Sequence, residues 1–304
     1  MKDLGHLSYF LGLEIIHSTD GLYITQAKYA SELLSRAGLT DSKTVDTPVE
    51  LNAYLTPTGG KPLSNPSLYR RLVGSLIYLT VTRPNISYAI HQVSQYLSAP
   101  WSTHYAAVLR IIRYLKGTFF HDLFYSAQSP FVFHAFSDAD WAGDPADCRS
   151  TTGYCFLLGS SLISWQSKKQ THVARSSTEA KYRALADTTF ELLWLRWLLK
   201  DLGVFTSSTT PLYYDNQSVI HITHNDVFHE RTKHIEIDCH FICYHLVHGA
   251  LKLISVSSKD QLADIFTKSH PKGRLRTLVD NFKLVSHPPW VWGGLLTCIR
   301  VCGL

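Results

Sequence analysis

Alternating apolar and polar positions near the start of the chain predict two strands joined by a turn. The alternation covers residues 8–17 and resumes at 22–25, and the Ser-Thr-Asp-Gly sequence between them favours a tight turn, so we expect a β-hairpin. Apolar residues then recur at helical spacing over 26–37, and a loop rich in Thr, Pro and Gly covers about 41–66. This part of the chain therefore predicts a hairpin, a helix and a long loop.

Two strongly helical segments follow the loop. Residues 72–97 and 104–116 carry apolar residues at helical spacing, and the Arg83-Pro84 pair divides the first segment into two predicted helices. The second segment carries three basic residues along one face, which are Arg110, Arg113 and Lys116. This basic stripe fits a contact with nucleic-acid phosphates about as well as it fits a solvated polar face.

From residue 131 the pattern changes to short apolar strands separated by helices. The predicted strands are 131–138, 153–159, 161–166, 211–215 and 250–256. The predicted helices cover 177–202, a short segment after 215, 231–248, and a stretch that starts near Asp260. This order predicts an α/β fold with a mixed sheet flanked by helices, preceded by the hairpin and the helical segments of the first half.

Composition is that of an ordinary globular protein with room for about two domains. Apolar residues make up 45% and charged residues 17% of the chain, and the net charge of +5 is compatible with a polyanionic partner without requiring one. The six cysteines form no C-x-x-C pair, which favours reduced, intracellular thiols. The chain opens without the pattern of a secretory signal, and the apolar segment 290–304 is too short to span a bilayer. We therefore expect a soluble intracellular protein, in a cytoplasmic particle or in the nucleus, without a membrane partner.

Four acidic residues in distinct contexts are the strongest candidates for chemistry. Asp138 and Asp215 end predicted strands, whereas Glu179 and Asp264 lie at or near the starts of predicted helices. An Asp in a polar turn is usually a cap or a solvated side chain, so each residue alone is a weak signal, and the ordered set is a stronger one. Gathered by a fold, the four carboxylates would form a cage for two Mg²⁺ ions, the arrangement used for in-line hydrolysis of phosphodiesters. The set therefore predicts a nuclease.

A cluster of histidines and cysteines suggests zinc as an alternative. One helical segment contains His234, Asp238, Cys239, His240, Cys243, His245 and His248. A structural zinc site needs about four converging ligands, usually from two elements, and a single helix presents only positions i and i+4 on one face. We therefore expect these histidines to be partly buried or to face phosphates rather than to bind zinc.

A series of ordered motifs runs along residues 1–284. They include Met1-Lys-Asp-Leu-Gly-His-Leu, Tyr69-Arg-Arg-Leu-Val-Gly-Ser-Leu-Ile-Tyr-Leu, Ser137-Asp-Ala-Asp-Trp-Ala-Gly-Asp, Ser164-Trp-Gln-Ser-Lys-Lys-Gln, Tyr214-Asp-Asn-Gln-Ser, Arg231-Thr-Lys-His-Ile-Glu-Ile-Asp and Asp260-Gln-Leu-Ala-Asp-Ile-Phe-Thr-Lys. In this order the chain resembles the carboxyl-terminal part of a copia-type LTR retrotransposon Pol polyprotein, from the end of reverse transcriptase through ribonuclease H.

The resemblance implies three regions and one activity. Residues 1–125 would be the end of a reverse transcriptase (palm end, thumb and connection), 131–284 a ribonuclease H-like domain, and 285–304 an irregular tail. The second domain would cut the RNA strand of an RNA–DNA hybrid with two Mg²⁺ ions, for which Mn²⁺ can substitute. Its metal ligands would be Asp138, Asp215 and Asp264, with Glu179 contributing if the helix register allows. The remaining polymerase portion of a Pol polyprotein would be a further partner.

The family's polymerase site is a Tyr-x-Asp-Asp turn, and this motif does not occur in the sequence. Without the two carboxylates of that turn, nothing holds the metal ions that position an incoming triphosphate. We therefore expect no polymerase activity from this chain.

One departure from the family pattern concerns the predicted helix after Ser177. The family usually has Ser-Thr-Glu-Ala-Glu-Tyr, and this chain has Lys181 in place of the second glutamate. In the register of ribonucleases H the catalytic glutamate directly precedes the first large apolar residue, here Tyr182, and that register selects Lys181 rather than Glu179. Residues advance about 100° along a helix, so only one of the two side chains can readily reach the metals. Two interpretations stay open, a hybrid-cutting ribonuclease H and a catalytically inactive remnant that at most binds nucleic acid.

Overall fold

Two separate units make up the chain. The structure, a computed structural model, describes residues 5–39, 43–204, 209–216 and 236–286. The first unit consists of Met1–Gln128 and Ser269–Leu304, and the second of Ser129–Lys268. Each unit has its own five-stranded sheet.

An antiparallel sheet runs through the first unit. Its strands are β1 Tyr9–Phe10, β2 Leu13–Ser18, β3 Gly21–Thr25, β4 His121–Ser126 and β10 Leu284–Ser286, in the order β1-β2-β3-β4-β10. The predicted hairpin is present as β2 and β3, although positive φ angles at Leu11 and Gly12 make a turn that divides the predicted first strand. Gly21 is needed at the start of β3, because a Cβ there would lie 2.1 Å from the carbonyl oxygen of Tyr125.

The helices of the first unit are α1 Ala27–Arg36, α2 Pro66–Leu79, α3 Ser87–Ser94, α4 Ser102–Gly117 and α7 Lys272–Asn281. The predicted interruption at Arg83-Pro84 is confirmed, because α2 ends before it and the 3₁₀ turn Pro84–Ile86 leads into α3. Asn65 begins α2 by accepting a hydrogen bond from the backbone N–H of Leu68 at 3.1 Å.

The predicted basic stripe lies along α4 and is half-buried within its own unit. Arg110 Nη2 donates to Thr47 Oγ1 at 3.0 Å, and Lys116 Nζ donates to the carbonyl oxygen of Leu39 at 3.4 Å. The segment 45–55 packs across the same helix and forms a mostly apolar groove with it. These contacts account for part of the stripe without nucleic acid, and a phosphate contact by its residues stays a prediction.

The carboxyl-terminal boundary of the predicted second domain needs a correction. The prediction assigns residues 131–284 to the ribonuclease H-like domain, but helix α7 and strand β10 belong to the first unit. The physical reason is backbone pairing, since Leu284 lies opposite Leu123 in an antiparallel ladder between β10 and β4. The predicted tail at 285–304 begins inside β10, and from residue 287 onward it lies outside the described residues.

A mixed sheet with helices on it forms the second unit, as predicted. Its strands are β5 Phe133–Ala139, β6 Thr151–Leu158, β7 Ser161–Lys169, β8 Thr210–Tyr214 and β9 Leu251–Ser255, in the order β7-β6-β5-β8-β9. The β5–β8 and β8–β9 pairs are parallel and the other pairs are antiparallel. The predicted α/β fold with a mixed sheet flanked by helices is therefore confirmed.

Two long helices belong to this unit, α5 Ser177–Asp201 and α6 Glu236–Val247. Apolar residues of α5, among them Tyr182, Leu185 and Leu192, are fully buried in a core shared with Phe156 and Leu212 of the sheet. The helix predicted near Asp260 is a shorter 3₁₀ turn, Leu262–Phe266. The short helix predicted after 215 lies outside the described residues, as does the start of the one predicted at 231–248. No helix among the described residues is both long enough and apolar enough to cross a membrane.

Candidate metal centre

Two of the predicted carboxylates lie at the same edge of the sheet. Asp138 is near the carboxyl end of β5, and Asp215 directly follows β8. The strands are parallel neighbours, with Phe136 opposite Tyr213, and two further residues along this register bring Asp138 level with Asp215. The two side chains therefore meet because parallel strands end at one edge of a sheet.

The third carboxylate comes from the 3₁₀ turn that contains Asp264. Gln261 ties this turn to β5 by donating from Nε2 to the carbonyl oxygen of Ser137 at 3.0 Å. The turn also lies against Gly153 of β6, where a Cβ would be 2.8 Å from the Cβ of Phe266, so the close approach depends on glycine. Oxygen atoms from the three carboxylates of Asp138, Asp215 and Asp264 all lie within 4.8 Å of one another.

The fourth position of the cluster holds a lysine. Lys181 Nζ lies 2.5 Å from Asp215 Oδ1 and 3.4 Å from Asp138 Oδ1, and only 16% of its side chain is exposed. It precedes Tyr182, which is fully buried against the sheet and fixes the rotation of α5. The register that selects Lys181 is therefore the one that the structure has.

Glu179, predicted to contribute a fourth metal ligand if the helix register allowed, is not brought to the three aspartates by this register. The Glu179 side chain is buried away from the cluster, where Oε2 accepts from the backbone N–H of Arg175 at 2.8 Å and Oε1 accepts from Arg183 Nη2 at 2.7 Å. Its own N–H donates to Ser176 Oγ, which caps α5. A carboxylate in the first turn also interacts favourably with the helix dipole. The residue therefore stabilises the start of the helix.

A second lysine, Lys268, also contacts the cluster. Its Nζ lies 2.7 Å from Asp264 Oδ1 and 3.8 Å from Asp138 Oδ2, and 46% of its side chain is exposed. Thr267 donates from Oγ1 to Asp138 Oδ2 at 2.6 Å and fixes that carboxylate. Neither Thr267 nor Lys268 was among the predicted site residues. Their spacing of three and four residues from Asp264 is nevertheless the spacing that brings side chains together on a helical turn.

The pKa values in the cluster follow from burial opposed by the two ammonium groups. Burial acts to raise the pKa of Asp138, but Lys268 and Lys181 outweigh it and hold this pKa below its usual value. Burial and the charge of Asp138 raise the pKa of Asp264 to about 7. The pKa of Lys268 is raised, because Asp138 and Asp264 outweigh its own burial. Asp138 is thus kept charged in a place where a lone carboxylate would take up a proton.

Neighbouring acidic residues do not join the group. The backbone N–H of Thr151 donates to Asp140 at 2.5 Å, and Lys169 Nζ lies 2.5 Å from Asp144. In the segment considered for zinc and judged against it, Cys239 is buried in the core whereas His240 is exposed beside Glu236, and His234 lies outside the described residues.

The donor set fits a divalent cation in its chemistry but only in part in its arrangement. Carboxylate oxygens are the ligands that Mg²⁺ and Mn²⁺ prefer in proteins, and three are available. However, an ammonium group already bridges Asp138 and Asp215 at 3.4 and 2.5 Å. A site for two ions therefore does not fit these residues, whereas one ion does.

The chain is similar to known proteins along most of its length. The family model described as "Reverse transcriptase (RNA-dependent DNA polymerase)" matches residues 1–51. The chain is 43% identical, over 97% of its length, to the retrovirus-related Pol polyprotein from transposon RE2 of Arabidopsis thaliana, and 37% identical, over 90%, to that from transposon TNT 1-94 of Nicotiana tabacum. It spans 20% and 21% of the lengths of these two relatives. Among solved structures, the RNase H1 called LC11, isolated from compost, resembles 45% of this chain over 93% of its own length, with 13% identity and a TM-score of 0.35.

Proposed function

Since the chain belongs to the copia-type retrotransposon Pol polyproteins, we propose that its second unit is a ribonuclease H domain directed at the RNA strand of an RNA–DNA hybrid. The observation that carries this proposal is the convergence of Asp138, Asp215 and Asp264 at one edge of a ribonuclease H-like sheet. The three aspartates would hold a divalent ion there, and such an ion would supply polarisation of the scissile phosphate and activation of water. The hybrid would be bound through its shape, its phosphates and its 2′-hydroxyl groups.

The residues of the chain would have distinct tasks in this site. Asp138 is buried and held by Thr267, so it keeps a fixed orientation toward its two acidic neighbours. Lys268 is half-exposed at the rim and would attract the phosphate backbone of the hybrid. Asp215 would contribute least in the unaltered chain, because its Oδ1 is engaged by the ammonium group of Lys181.

Lys181 favours a second candidate function, hybrid binding without efficient cleavage. Its positive charge stands where the second ion of a two-metal mechanism would need a ligand, and it cannot coordinate a cation itself. We therefore propose that the unaltered chain binds hybrid and cleaves it weakly or not at all. On this view the three aspartates retain ligands for metal-dependent hydrolysis, and Lys181 suppresses that activity.

A paired assay of binding and cleavage tests both functions. A fluorescent RNA–DNA hybrid would be used to measure binding by anisotropy in EDTA and cleavage on gels in Mg²⁺ and in Mn²⁺. We expect binding by the unaltered chain, cleavage near background, and a clear gain of cleavage in Lys181→Glu. That gain should disappear in Lys181→Glu with Asp215→Asn. Efficient cleavage by the unaltered chain would contradict the role given to Lys181, and absence of hybrid binding would contradict the proposed function itself.

For the first unit we propose a reverse transcriptase remnant without polymerase activity, which would associate with the remaining polymerase portion of a Pol polyprotein. The match of residues 1–51 to the reverse transcriptase family and the absence of a Tyr-x-Asp-Asp motif from the sequence support this proposal. Primer extension on a primed RNA template tests it. Nucleotide incorporation by the purified chain, above that of a mock preparation, would overturn it.

A further inference from the structure

Each of the two lysines at the candidate metal centre bridges Asp138 to another aspartate. Lys181 lies between Asp138 and Asp215, at 3.4 and 2.5 Å, and Lys268 lies between Asp138 and Asp264, at 3.8 and 2.7 Å. The cluster thus has two cation positions that share one central carboxylate. In the structure both positions are occupied by ammonium groups of the chain.

The two positions differ in how easily their ammonium group can leave. Lys181 comes from the body of α5, one residue before the fully buried Tyr182, and its Nζ lies 5.9 Å from the centre of the Tyr214 ring. Lys268 follows the 3₁₀ turn, and nearly half of its side chain is exposed. A cation arriving from solvent can therefore displace the ammonium group of Lys268 into water more readily than that of Lys181, whose side chain is only 16% exposed.

One oxygen atom of the buried Asp138 carboxylate faces Lys181. Asp138 is 1% exposed, and within the part of the chain that the structure describes its Oδ1 accepts no hydrogen bond, although Oδ2 accepts one from Thr267. The nearest cation to Oδ1, Lys181 Nζ, is 3.4 Å away. Buried carboxylate oxygens normally accept hydrogen bonds or coordinate ions, so Oδ1 depends on a cation, and Lys181 is the cation that faces it. This dependence favours keeping the ammonium group of Lys181 in place.

The charge of the cluster limits the number of ions. Three carboxylates together with Lys181 leave two negative charges once Lys268 has turned away. One divalent ion neutralises these charges. A second would create a net positive charge in a largely buried site, which is strongly unfavourable.

We propose that the cluster binds a single divalent cation between Asp138 and Asp264, in the place of the Lys268 ammonium group, while Lys181 serves as a permanent internal cation between Asp138 and Asp215. This proposal deepens the proposed function and rests on it for the use of the ion. Lys181 then sets the number of bound ions, and Lys268 competes with the ion for the site.

Counting bound Mn²⁺ tests the proposal without reference to activity. The full chain would be titrated with Mn²⁺, and free ion would be measured by electron paramagnetic resonance. We expect one site in the unaltered chain and two sites in Lys181→Glu, in which four carboxylates balance two divalent ions. Lys268→Met should have one site with a dissociation constant lower by roughly tenfold, because the competing ammonium group, 2.7 Å from Asp264 Oδ1, is removed. Asp264→Asn should lose the site. Lys200→Gln, an exposed lysine on the same helix as Lys181, is the matched control and should bind like the unaltered chain.

Other outcomes would overturn the proposal. Two sites or none in the unaltered chain would do so, as would an unchanged affinity in Lys268→Met. Circular dichroism would establish that each variant is folded, and if Lys181→Glu does not fold, the ion count of the unaltered chain and the affinity of Lys268→Met still decide. A single bound ion without hybrid binding would support this inference and contradict the proposed function. Hybrid binding without any bound ion would support the proposed function and contradict this inference.

Discussion

The two units neutralise buried charge in different ways. In the first, Arg83 is 3% exposed and donates to the carbonyl oxygens of Thr118 and His121 at 2.5 and 2.6 Å, and burial raises the pKa of the neighbouring Asp122 to about 7. In the second, Asp138 is equally buried, yet two lysines hold its pKa below the usual value. We infer that a carboxylate that gains a proton on burial has a structural role, whereas Asp138, kept charged by two lysines of which only Lys268 is well exposed, can exchange one of them for an ion.

The largest effect is expected from the buried cation of the first unit. Arg83→Met removes the donors from two buried carbonyl oxygens and the positive charge near Asp122, so the free energy of unfolding of this unit should fall by about 3–5 kcal/mol. Urea unfolding, followed by hydrogen exchange in peptides of β4 and α4, would measure the loss unit by unit.

Arg70→Met is the matched control for this substitution. Arg70 also donates to two carbonyl oxygens, those of Leu97 and Ser98, but it is exposed. Its loss should therefore cost only about 1 kcal/mol. Equal losses in Arg83→Met and Arg70→Met would contradict the distinction between a buried and an exposed cation.

The next effect concerns the pH dependence of the first unit. Because the pKa of Asp122 is about 7 in the folded state and near 4 in an unfolded chain, the folded state binds more protons between these values. The protonated Asp122 carboxyl group therefore contributes fully to stability below pH ~4, and this contribution is lost as the pH rises through 7. The free energy of unfolding should fall by roughly 3 kcal/mol over this window. Asp122→Asn should remove the loss. Parallel stability curves for the two proteins between pH 4 and 7.5 would show that the carboxyl group titrates normally.

In the second unit the comparison is tested by reversing one charge. Lys181→Glu replaces the internal cation with a fourth carboxylate, and cleavage of an RNA–DNA hybrid should rise by on the order of 10²-fold, equivalent to about 2.7 kcal/mol of transition-state stabilisation. The rise should require Mg²⁺ or Mn²⁺. Cleavage that stays at background in every metal tested, with a folded protein, would favour the inactive remnant.

Elements with a strong local pattern were predictable from sequence, and elements made by distant pairing were not. The hairpin, helix α5 and the strands of the second sheet follow from periodicity and turn residues. Strand β4 pairs with β3 and with β10, and this pairing takes α7 and β10 out of the predicted second domain. Such pairing depends on contacts between residues far apart in the chain, which local patterns do not contain.

The same distinction between local pattern and distant contact holds for the residues of the candidate site. Strand ends and their parallel pairing bring Asp138 and Asp215 together, so their position followed from the sequence pattern. The contact of Lys268 with Asp264 depends on the conformation of a flexible side chain after a 3₁₀ turn, which no periodicity specifies. The choice between Glu179 and Lys181 depended on which residue the sheet buries next, and the burial of Tyr182 decides it.

The smallest effect is expected from Glu179, and it separates a residue that stabilises a helix from one that serves the ion. In a Lys181→Glu background, Glu179→Gln should leave hybrid cleavage within about twofold, because this side chain faces Arg175 and Arg183 rather than the aspartates. The glutamine can still accept the N–H of Arg175, but it loses the charge that pairs with Arg183 and with the helix dipole, so the unit should lose about 1 kcal/mol of stability. Thermal unfolding and cleavage would be measured on the same samples, with Asp215→Asn as the opposite case, in which cleavage falls to background while the protein stays folded. A loss of cleavage in Glu179→Gln as large as that in Asp215→Asn would mean that α5 rotates or frays when the site is used, and that Glu179 reaches the ion after all.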